Sequence, residues 1–484
     1  MDKKPKRNFL KYIFILFSIM FAIPSIIYYI NNKTILGFNK EFRFLLNDAH
    51  KGFQTFVYAY LIIGMIIVYY LIIKNKDKIF KNTKQIFKYI AIISLIFVLV
   101  VPFWCSDVFY YLGVGRLYSE YEKNPYYTTI KEYVETHKSV DLEEDTVLKQ
   151  GYNNVWGKTT VVYGPIWTLI CGGVAKLSLG NIDFGLLVFK LVNVLIHLLN
   201  CYFIYKIWNK KAFTLMYGLN PFVLIEGISN VHNDMFVLLF ILISTYMLVK
   251  KKNIFASVLF LSLATAIKYF AILLLPIFVL YYYRDKKLNK RILLGGSCIL
   301  IFITMVLIYY MPFIEDMSVF EGMQTQQGKL AKSIYVAIRL LFPTHVGVAG
   351  RVNKILTLTF IILYFIKCLH LLFKKEIKIE KEMREHTIYL MIFLFLLITN
   401  FQPWYLIWLF YCAFWQKKEN VFYLINLCLA TLFANCVFLL NSEAWTYGGT
   451  FFGIMLVSIV GLKLLGNNKK VRSLYGKISF DWWK

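Results

Sequence analysis

The chain has 484 residues, of which 59% are hydrophobic and 18% are aromatic. Soluble domains are about 45–50% apolar, so this composition excludes an ordinary soluble protein and predicts an all-α polytopic membrane protein. The formal net charge of +27 indicates contact with the lipid bilayer rather than with nucleic acid, because most lysines and arginines lie in short turns between apolar segments.

The amino-terminal part of the chain is predicted to form three spans. Apolar runs long enough to cross a hydrocarbon core of about 30 Å occupy residues 9–30, 54–73 and 88–104. The basic start of the chain has no small-residue cleavage site, so we expect it to stay in the cytoplasm, together with the lysine-rich turn 74–88. Asp107 then emerges at the outer face. A charge near hydrocarbon is costly, so it is expected to have a partner or a function.

The later spans are predicted from the basic turns, which should lie in the cytoplasm. Alternation between these turns gives a bundle of about 12–14 transmembrane helices, with both termini inside and a basic cytoplasmic tail at residues 466–484. The predicted spans are 182–208, 212–229, 234–249, 254–267, 269–283, 292–312, 354–373, 387–401, 404–415, 421–440 and 450–465.

One apolar stretch, residues 161–180, breaks this alternation. The surrounding charges put both of its ends outside, so we expect it to enter the membrane and return on the same side. The alternative is that residues 253–283 form one tilted helix rather than two.

Two predicted outer segments are too long to be simple turns. Residues 105–160 form a first loop rich in tyrosine, which we interpret as the catalytic loop. Residues 313–350 form a second loop, whose helical apolar spacing with basic residues predicts amphipathic helices on the outer leaflet. Long loops in a compact protein are usually functional. No linker or soluble domain interrupts the sequence, so residues 1–484 are predicted to form a single membrane domain.

This threading gathers polar groups from distant parts of the chain at the outer boundary, as in sites built between helices. A carboxylate there can act as general base toward a hydroxyl, and cations can stabilise the charge that develops on a departing lipid phosphate. For transfer of a sugar from a lipid phosphate, one catalytic carboxylate suffices, because the phosphate is already a good leaving group. The candidate residues are Asp107, Arg116, Tyr163, His232, Asn233, Asp234, Lys268, Gln402, Trp404 and Tyr405.

Each candidate also has a structural interpretation. Asp107 could cap the helix that follows it, and Lys268 could extend its ammonium group to the membrane interface. His232 and Asp234 could join helices by hydrogen bonds. The aromatic residues after Pro403 could form an interfacial belt.

The sequence predicts neither a metal nor another cofactor. Asp107, His232 and Asp234 could ligate a divalent ion, but no spacing such as HExxH supports this. The sequence contains no phosphate-binding glycine loop, so it does not support the use of ATP or a dinucleotide. The eight cysteines are expected to be buried small hydrophobes, and Lys190 and His197 are expected to be structural.

Four sequence blocks carry a family resemblance. They are SDVFYYLGVGRLYSEYEKNPY, VYGPIW, LNPFVLIEGISNVHNDMFVLLFILIS followed by LATAIKYFAILLLP, and NFQPWYLIWLF, which together cover roughly residues 100–415. With these blocks the chain resembles the C-type (GT-C) superfamily of integral-membrane glycosyltransferases, and most of all bacterial polyprenyl-phosphate-mannose-dependent α-(1→6)-mannopyranosyltransferases.

The resemblance implies an inverting, nucleotide-independent transfer in a cavity at the outer face of the cell membrane, with Asp107 as catalytic base. It implies a polyprenyl-phosphate-linked sugar, mannose being the leading assignment, as donor, and a cell-envelope glycan or glycolipid as acceptor. Lys268 would face the lipid phosphate near Asp234, and Arg116 matches the arginine that closes the first block. That block departs from the family pattern at Tyr110 and Gly113.

Two sets of roles complete the prediction. We expect Lys268, Arg116, Asp234 and His232 to contact the donor phosphate. We expect the sugar or the acceptor to meet Tyr163, Asn233, Gln402, Trp404 and Tyr405. The alternative function is a lipid-linked-sugar flippase or polytopic transporter, but the charges gather at one face and no internal repeat typical of transporters is evident.

Overall fold

The computed structural model describes residues 8–35, 48–102, 105–327, 329–330, 333–342 and 347–440. Every regular element among these residues is helical, which confirms the predicted all-α class. The chain divides into two compact units: Met1–Ile272 with Leu300–Met323, and Leu273–Ile299 with Gln324–Lys484. The predicted span 450–465 and the tail 466–484 lie outside the described residues.

The helices up to residue 265 include the whole region around Asp107. They are α1 (Phe9–Asn32), α2 (Asp48–Lys74), α3 (Lys76–Ile79), α4 (Thr83–Val98), α5 (Asp107–Ser119), α6 (Ile130–Thr136), α7 (Thr146–Asn153), α8 (Pro165–Leu177), α9 (Ile182–Trp208), α10 (Lys211–Gly218), α11 (Pro221–Val223), α12 (Asp234–Val249) and α13 (Ile254–Thr265). A π-helix, Leu224–Ser229, continues α11.

The rest of the described chain is also helical. After a 3₁₀ helix, Tyr269–Leu274, it forms α14 (Leu275–Tyr282), α15 (Leu288–Tyr310), α16 (Glu321–Gln327), α17 (Ile334–Leu341), α18 (Gly347–Phe373), α19 (Ile379–Ile392), α20 (Trp408–Ala413) and α21 (Lys418–Leu440). A π-helix, Phe393–Leu397, extends α19, and a 3₁₀ helix, Pro403–Ile407, leads into α20. The predicted helices of the second outer loop correspond to α16 and α17.

The described residues contain five helices long and apolar enough to cross a membrane. They are Phe9–Asn32, Phe56–Lys74, Ile182–Trp208, Leu288–Phe313 and Gly347–Phe373, and the pair Lys211–Gly218 and Pro221–Ser229, bent by 45°, would be a sixth. This confirms a polytopic membrane protein. Further apolar helices have 10–17 residues, fewer than the roughly 20 that a span needs. The count of 12–14 crossings therefore stays a prediction.

The segment that broke the alternation of spans contains α8, a helix of 13 residues. At 1.5 Å per residue it is about 20 Å long, shorter than the hydrocarbon core. The entry into the membrane and return on the same side stays a prediction. The alternative of one tilted helix over 253–283 is wrong. The α-helix ends at Thr265, residues 266–268 are not helical, and the chain resumes at Tyr269 as a 3₁₀ helix that leads into α14.

Helices α5 and α8 run parallel and pack closely. Tyr111 near the start of α5 meets Trp167 near the start of α8, with ring centroids 5.1 Å apart. One turn later, a Cβ at Gly115 would lie 2.2 Å from the carbonyl oxygen of Cys171. Only glycine permits that approach, because any side chain would collide with the backbone of α8. The two helices therefore form a rigid pair that begins beside Asp107.

The end of α4 is fixed where the chain turns toward Asp107. Lys190, fully inside α9, donates from Nζ to the carbonyl oxygens of Val98, at 3.2 Å, and Val100. Ser229 donates from Oγ to the carbonyl of Phe97 at 3.2 Å. These bonds satisfy carbonyls that the helix end leaves open and confirm the structural interpretation of Lys190.

In the second unit, a buried carboxylate joins α18 to α19. Glu382 is fully buried and accepts hydrogen bonds from Lys367 at 2.8 Å and from Lys374 at 2.5 Å. Buried charges persist when they are paired in this way. Glu382 is therefore a structural anchor of this unit.

Candidate active site

Asp107 is the first residue of α5, and its carboxylate is held by the far end of the segment 105–160. Trp156 donates from Nε1 to Oδ1 of Asp107 at 3.1 Å, and Asn154 donates from Nδ2 to the carbonyl of Ser106 at 2.8 Å. The N-cap of α5 is Ser106, so Asp107 does not cap the helix. Its charge lies in the first turn, where the helix dipole favours an anion.

A second segment brings His232 to the same place. The ligand atoms of Cys105, Asp107 and His232 all lie within 4.8 Å of one another. His232 is fully buried, and its Nε2 lies 3.3 Å from Oε2 of Glu226. Asn230 donates from Nδ2 to the same carboxylate oxygen at 2.9 Å, which orients it. The surroundings of His232 thus include a thiol and the carboxylates of Asp107 and Glu226.

The backbone before His232 is strained. Val231 has a φ of 59°, in the left-handed region that a β-branched residue rarely adopts. Such a conformation costs about 1–3 kcal/mol and is typical of functional sites. It turns the chain between the π-helix that carries Glu226 and helix α12, and so delivers His232 to Asp107.

Asp234 and Lys268 form the ionic pair of the site. Lys268 donates from Nζ to both carboxylate oxygens of Asp234, at 2.7 and 2.8 Å. Lys268 lies in the predicted break after α13, and its ammonium is 5.9 Å from the ring centre of Tyr163. The Tyr163 hydroxyl lies 3.1 Å from that of Tyr111. Tyr163 is thereby placed between the ionic pair and α5.

Asn233 is a buried amide between His232 and Asp234. Its side chain is fully buried, and neither Oδ1 nor Nδ2 has a hydrogen-bond partner among the described residues. A buried polar group without a partner costs about 1–3 kcal/mol. A ligand with hydroxyl groups would remove this cost, which agrees with the predicted contact to the sugar or acceptor.

Arg116 lies elsewhere. It donates from Nε to Oδ2 of Asp145 at 2.7 Å, and Nη1 lies 3.4 Å from Glu120. Tyr121 donates to the same oxygen of Asp145 at 2.8 Å. Burial, with the hydrogen bond to Asp145, raises the pKa of the Tyr121 hydroxyl. Nine residues of helix put Arg116 about 14 Å along α5 from Asp107, so the structure does not bring these two predicted residues together.

Gln402, Trp404 and Tyr405 belong to the second unit. Gln402 donates from Nε2 to Oδ1 of Asn400 at 2.9 Å, Trp404 is buried, and the ring of Tyr405 stacks on Trp408 with centroids 5.1 Å apart. Their roles at the sugar or acceptor stay predictions from the sequence.

Sequence reasoning missed three residues of the site: Cys105, Trp156 and Glu226. Cys105 was read as a buried small hydrophobe, and Glu226 had no assigned role. The sequence does not show which residue a tryptophan in a loop, such as Trp156, will contact. The spacing of Cys105 and His232 matches no metal-binding motif. The prediction of no metal was made without this cluster, whose thiol, carboxylate and imidazole are donors suited to an ion such as Zn²⁺.

A family model described as alpha-(1->6)-mannopyranosyltransferase, N-terminal domain, matches residues 18–284. The match covers more than half of the chain and includes Asp107, the segment around His232, and Lys268. The chain therefore belongs to the α-(1→6)-mannopyranosyltransferase family of glycosyltransferases. No curated protein and no solved structure matches it.

Proposed function

We propose that the protein is an inverting mannosyltransferase that takes mannose from a polyprenyl phosphate and adds it to a glycan or glycolipid of the cell envelope. The transfer takes place on the outer face of the cell membrane. The observation that carries the proposal is the position of Asp107, at a helix amino terminus, with its carboxylate on Trp156 and within 4.8 Å of the ligand atoms of Cys105 and His232.

Asp107 is the general base of the proposed reaction. Its carboxylate takes the proton of an acceptor hydroxyl while the hydroxyl oxygen forms a bond to C1 of mannose. The bond from C1 to the phosphate oxygen breaks on the opposite face, so the configuration at C1 inverts. The hydrogen bond from Trp156 fixes the carboxylate. A positioned base of this kind contributes about 10²–10⁴ to the rate.

Lys268 and Asp234 serve the leaving group. The polyprenyl phosphate gains negative charge as the bond to C1 breaks, and a fixed cation stabilises that charge. Lys268 is almost fully buried, and its ammonium group donates to both carboxylate oxygens of Asp234. His232 is the second proposed contact. A donor anchored in the bilayer can reach a site between membrane helices laterally, whereas the outer face has no supply of nucleotide sugars.

Asn233 and Tyr163 complete the proposed sugar contacts. The amide of Asn233 is buried without a protein partner among the described residues, so sugar hydroxyls would satisfy it. Tyr163 offers an aromatic face beside Lys268. Arg116 is left out of the donor site, because Asp145 and Glu120 already engage it.

The test is an assay of the purified protein with a panel of radiolabelled donors: polyprenyl-phosphate mannose, polyprenyl phosphates of other hexoses, and a nucleotide-linked mannose. We expect label in the acceptor only from polyprenyl-phosphate mannose, with the anomeric configuration inverted by NMR. Transfer from the nucleotide sugar, or retention of configuration, would overturn the proposal. Movement of a lipid-linked sugar across vesicles without transfer would instead indicate a flippase.

A further inference from the structure

Three side chains that can bind a metal ion meet at the proposed base. The ligand atoms of Cys105, Asp107 and His232 all lie within 4.8 Å of one another. Around a tetrahedral Zn²⁺, with bonds of about 2.0–2.3 Å to nitrogen, oxygen and sulfur, the ligand atoms lie about 3.3–3.7 Å apart. A shift of about 1 Å or less in each side chain would therefore bring the three atoms onto one ion.

Local structure brings these three side chains together. Cys105 lies two residues before Asp107, and the backbone amide of Asp107 donates to Sγ of Cys105 at 3.4 Å. His232 comes from a separate segment, which the left-handed backbone at Val231 turns toward α5. Trp156 donates to Oδ1 of Asp107, so an ion bound to Oδ2 would leave that bond intact. Cys105 and Asp107 are both partly exposed, which gives an ion access.

The imidazole has the neighbouring carboxylate that metal-binding histidines usually have. Oε2 of Glu226 lies 3.3 Å from Nε2 of His232, and Asn230 donates to the same oxygen at 2.9 Å. A carboxylate in this position fixes the orientation of the ring and raises its basicity toward a metal. The three ligands are thus supported by an oriented outer group.

The chemistry of the donors selects the class of ion. Thiolate and imidazole suit Zn²⁺, whereas Mg²⁺ prefers oxygen ligands. Zinc would bind the thiolate of Cys105, so the thiol releases its proton to water when the ion binds. Three protein ligands leave the fourth position of a tetrahedral ion to a water molecule.

We propose that the cluster of Cys105, Asp107 and His232 binds Zn²⁺ and that the bound ion inhibits transfer. This inference rests on the proposed role of Asp107 as the base. An ion on the carboxylate lowers its affinity for a proton and occupies the space through which the acceptor hydroxyl approaches. Zinc at this cluster is therefore an inhibitor rather than a cofactor, and a chelator leaves the enzyme active.

The experiment uses Zn²⁺ as the probe and Mg²⁺ as the control for charge. Transfer from polyprenyl-phosphate mannose is measured with increasing ion, and each protein is compared with its own rate without ion. We expect Zn²⁺ to inhibit the wild type and Mg²⁺ to have no effect. Glu226→Gln should raise the Zn²⁺ concentration for half inhibition about tenfold. Cys105→Ser, which keeps the size of the side chain, should raise it about 100-fold because a direct ligand is lost.

Cys368→Ser is the matched control for zinc acting at another thiol. Cys368 is the other partly exposed cysteine among the described residues, and it does not belong to the cluster. Its replacement should leave the inhibition unchanged. Equal inhibition of wild type and Cys105→Ser, or loss of inhibition in Cys368→Ser, would overturn the site. Stimulation of transfer by Zn²⁺ would overturn the inhibitory role.

Co²⁺ provides a measurement that does not depend on transfer, because a cobalt–thiolate bond gives a charge-transfer absorption band in the near ultraviolet. Wild type and Cys368→Ser should show this band and lose it when Zn²⁺ displaces Co²⁺, whereas Cys105→Ser should not show it. If these spectra are obtained but no donor supports transfer, the ion site stands and the proposed function fails. An active wild-type protein without the band would overturn the ion site and leave the proposed transfer intact.

Discussion

The two ends of helix α5 carry two charged residues, Asp107 and Arg116, which the sequence analysis assigned to one site. In the structure, these two residues have different surroundings. At the amino end, Asp107 meets Trp156 and lies beside His232, groups from separate parts of the chain. At the carboxyl end, Arg116 forms an ion pair with Asp145, which lies in the same segment, residues 105–160. The amino end also involves Asn233, a buried amide without a protein partner among the described residues. At the carboxyl end, the charged groups pair with one another.

The carboxylates of Asp145 and Asp107 differ in the hydrogen bonds that they accept from the protein. Asp145 accepts from Arg116 and Tyr121 on Oδ2, and from the backbone amide of Leu148 on Oδ1 at 2.9 Å. Because protein donors occupy both of its oxygens, the Asp145 carboxylate stabilises the loop. The Asp107 carboxylate accepts a hydrogen bond from Trp156 on Oδ1, and it neighbours the Cys105 thiol and the His232 imidazole. We infer that the chemistry belongs to the amino end of α5.

The largest expected effect separates the two carboxylates. Asp107→Asn keeps an acceptor oxygen for Trp156 but removes the base, so we expect turnover to fall about 10²–10⁴-fold with an unchanged Tm. Asp145→Asn should show the reverse, a lower Tm and near-normal turnover per folded molecule. Purified proteins would be compared by transfer assay and thermal unfolding. Undiminished turnover in Asp107→Asn would assign the base elsewhere.

Lys268→Met should have the next largest effect. Loss of the cation that we propose to face the leaving phosphate is expected to reduce kcat/KM for the lipid donor about 100-fold. Lys190→Met is the matched control, because this buried lysine donates to the backbone carbonyls of Val98 and Val100 at the end of α4. It should lower the Tm while changing donor kinetics far less. Identical donor kinetics in Lys268→Met and wild type would exclude a phosphate contact.

Arg116→Ala should affect stability rather than donor use. It leaves Asp145, of which 7% of the side chain is exposed, without its main partner, and breaking a buried pair costs about 3–5 kcal/mol. Denaturant unfolding in detergent would measure the loss. A selective rise in the KM for the donor without loss of stability would instead indicate that Arg116 binds the donor phosphate.

The smallest effect is expected from chelation. Transfer should persist after treatment with EDTA and dialysis, because the proposed base needs no metal. Cys105→Ser serves as the companion variant, since it removes a donor from the cluster with Asp107 and His232. Activity lost on chelation, restored by Zn²⁺, and absent in Cys105→Ser would identify that cluster as a catalytic metal centre.

The sequence predicted those features that depend on local pattern. Helices α1, α2 and α9 follow from the length of apolar runs, and the break at Lys268 follows from a charge between two short apolar stretches. The contact of Trp156 with Asp107 could not be predicted, because it depends on how α7 approaches α5. That approach rests on two glycines: a Cβ at Gly113 would lie 2.7 Å from Cα of Gly151. No local periodicity encodes such a pairing.

The family resemblance predicts Asp107 as the base, but it does not predict the groups that surround Asp107. It grouped Arg116 with Asp107 because both lie in one sequence block, whereas the helix separates them by about 14 Å. It also gave no role to Glu226, which reaches His232 through the strained backbone at Val231. Partners that come from different helices depend on packing rather than on sequence distance.

Chemical rescue is the most direct test of Asp107 as the proton acceptor. Single-turnover transfer from polyprenyl-phosphate mannose would be measured for Asp107→Ala with increasing formate, which can occupy the space of the missing carboxylate. We predict a rate near zero without formate and a saturable recovery with it, while donor binding stays unchanged. Transfer by Asp107→Ala at the wild-type rate without formate would contradict the account.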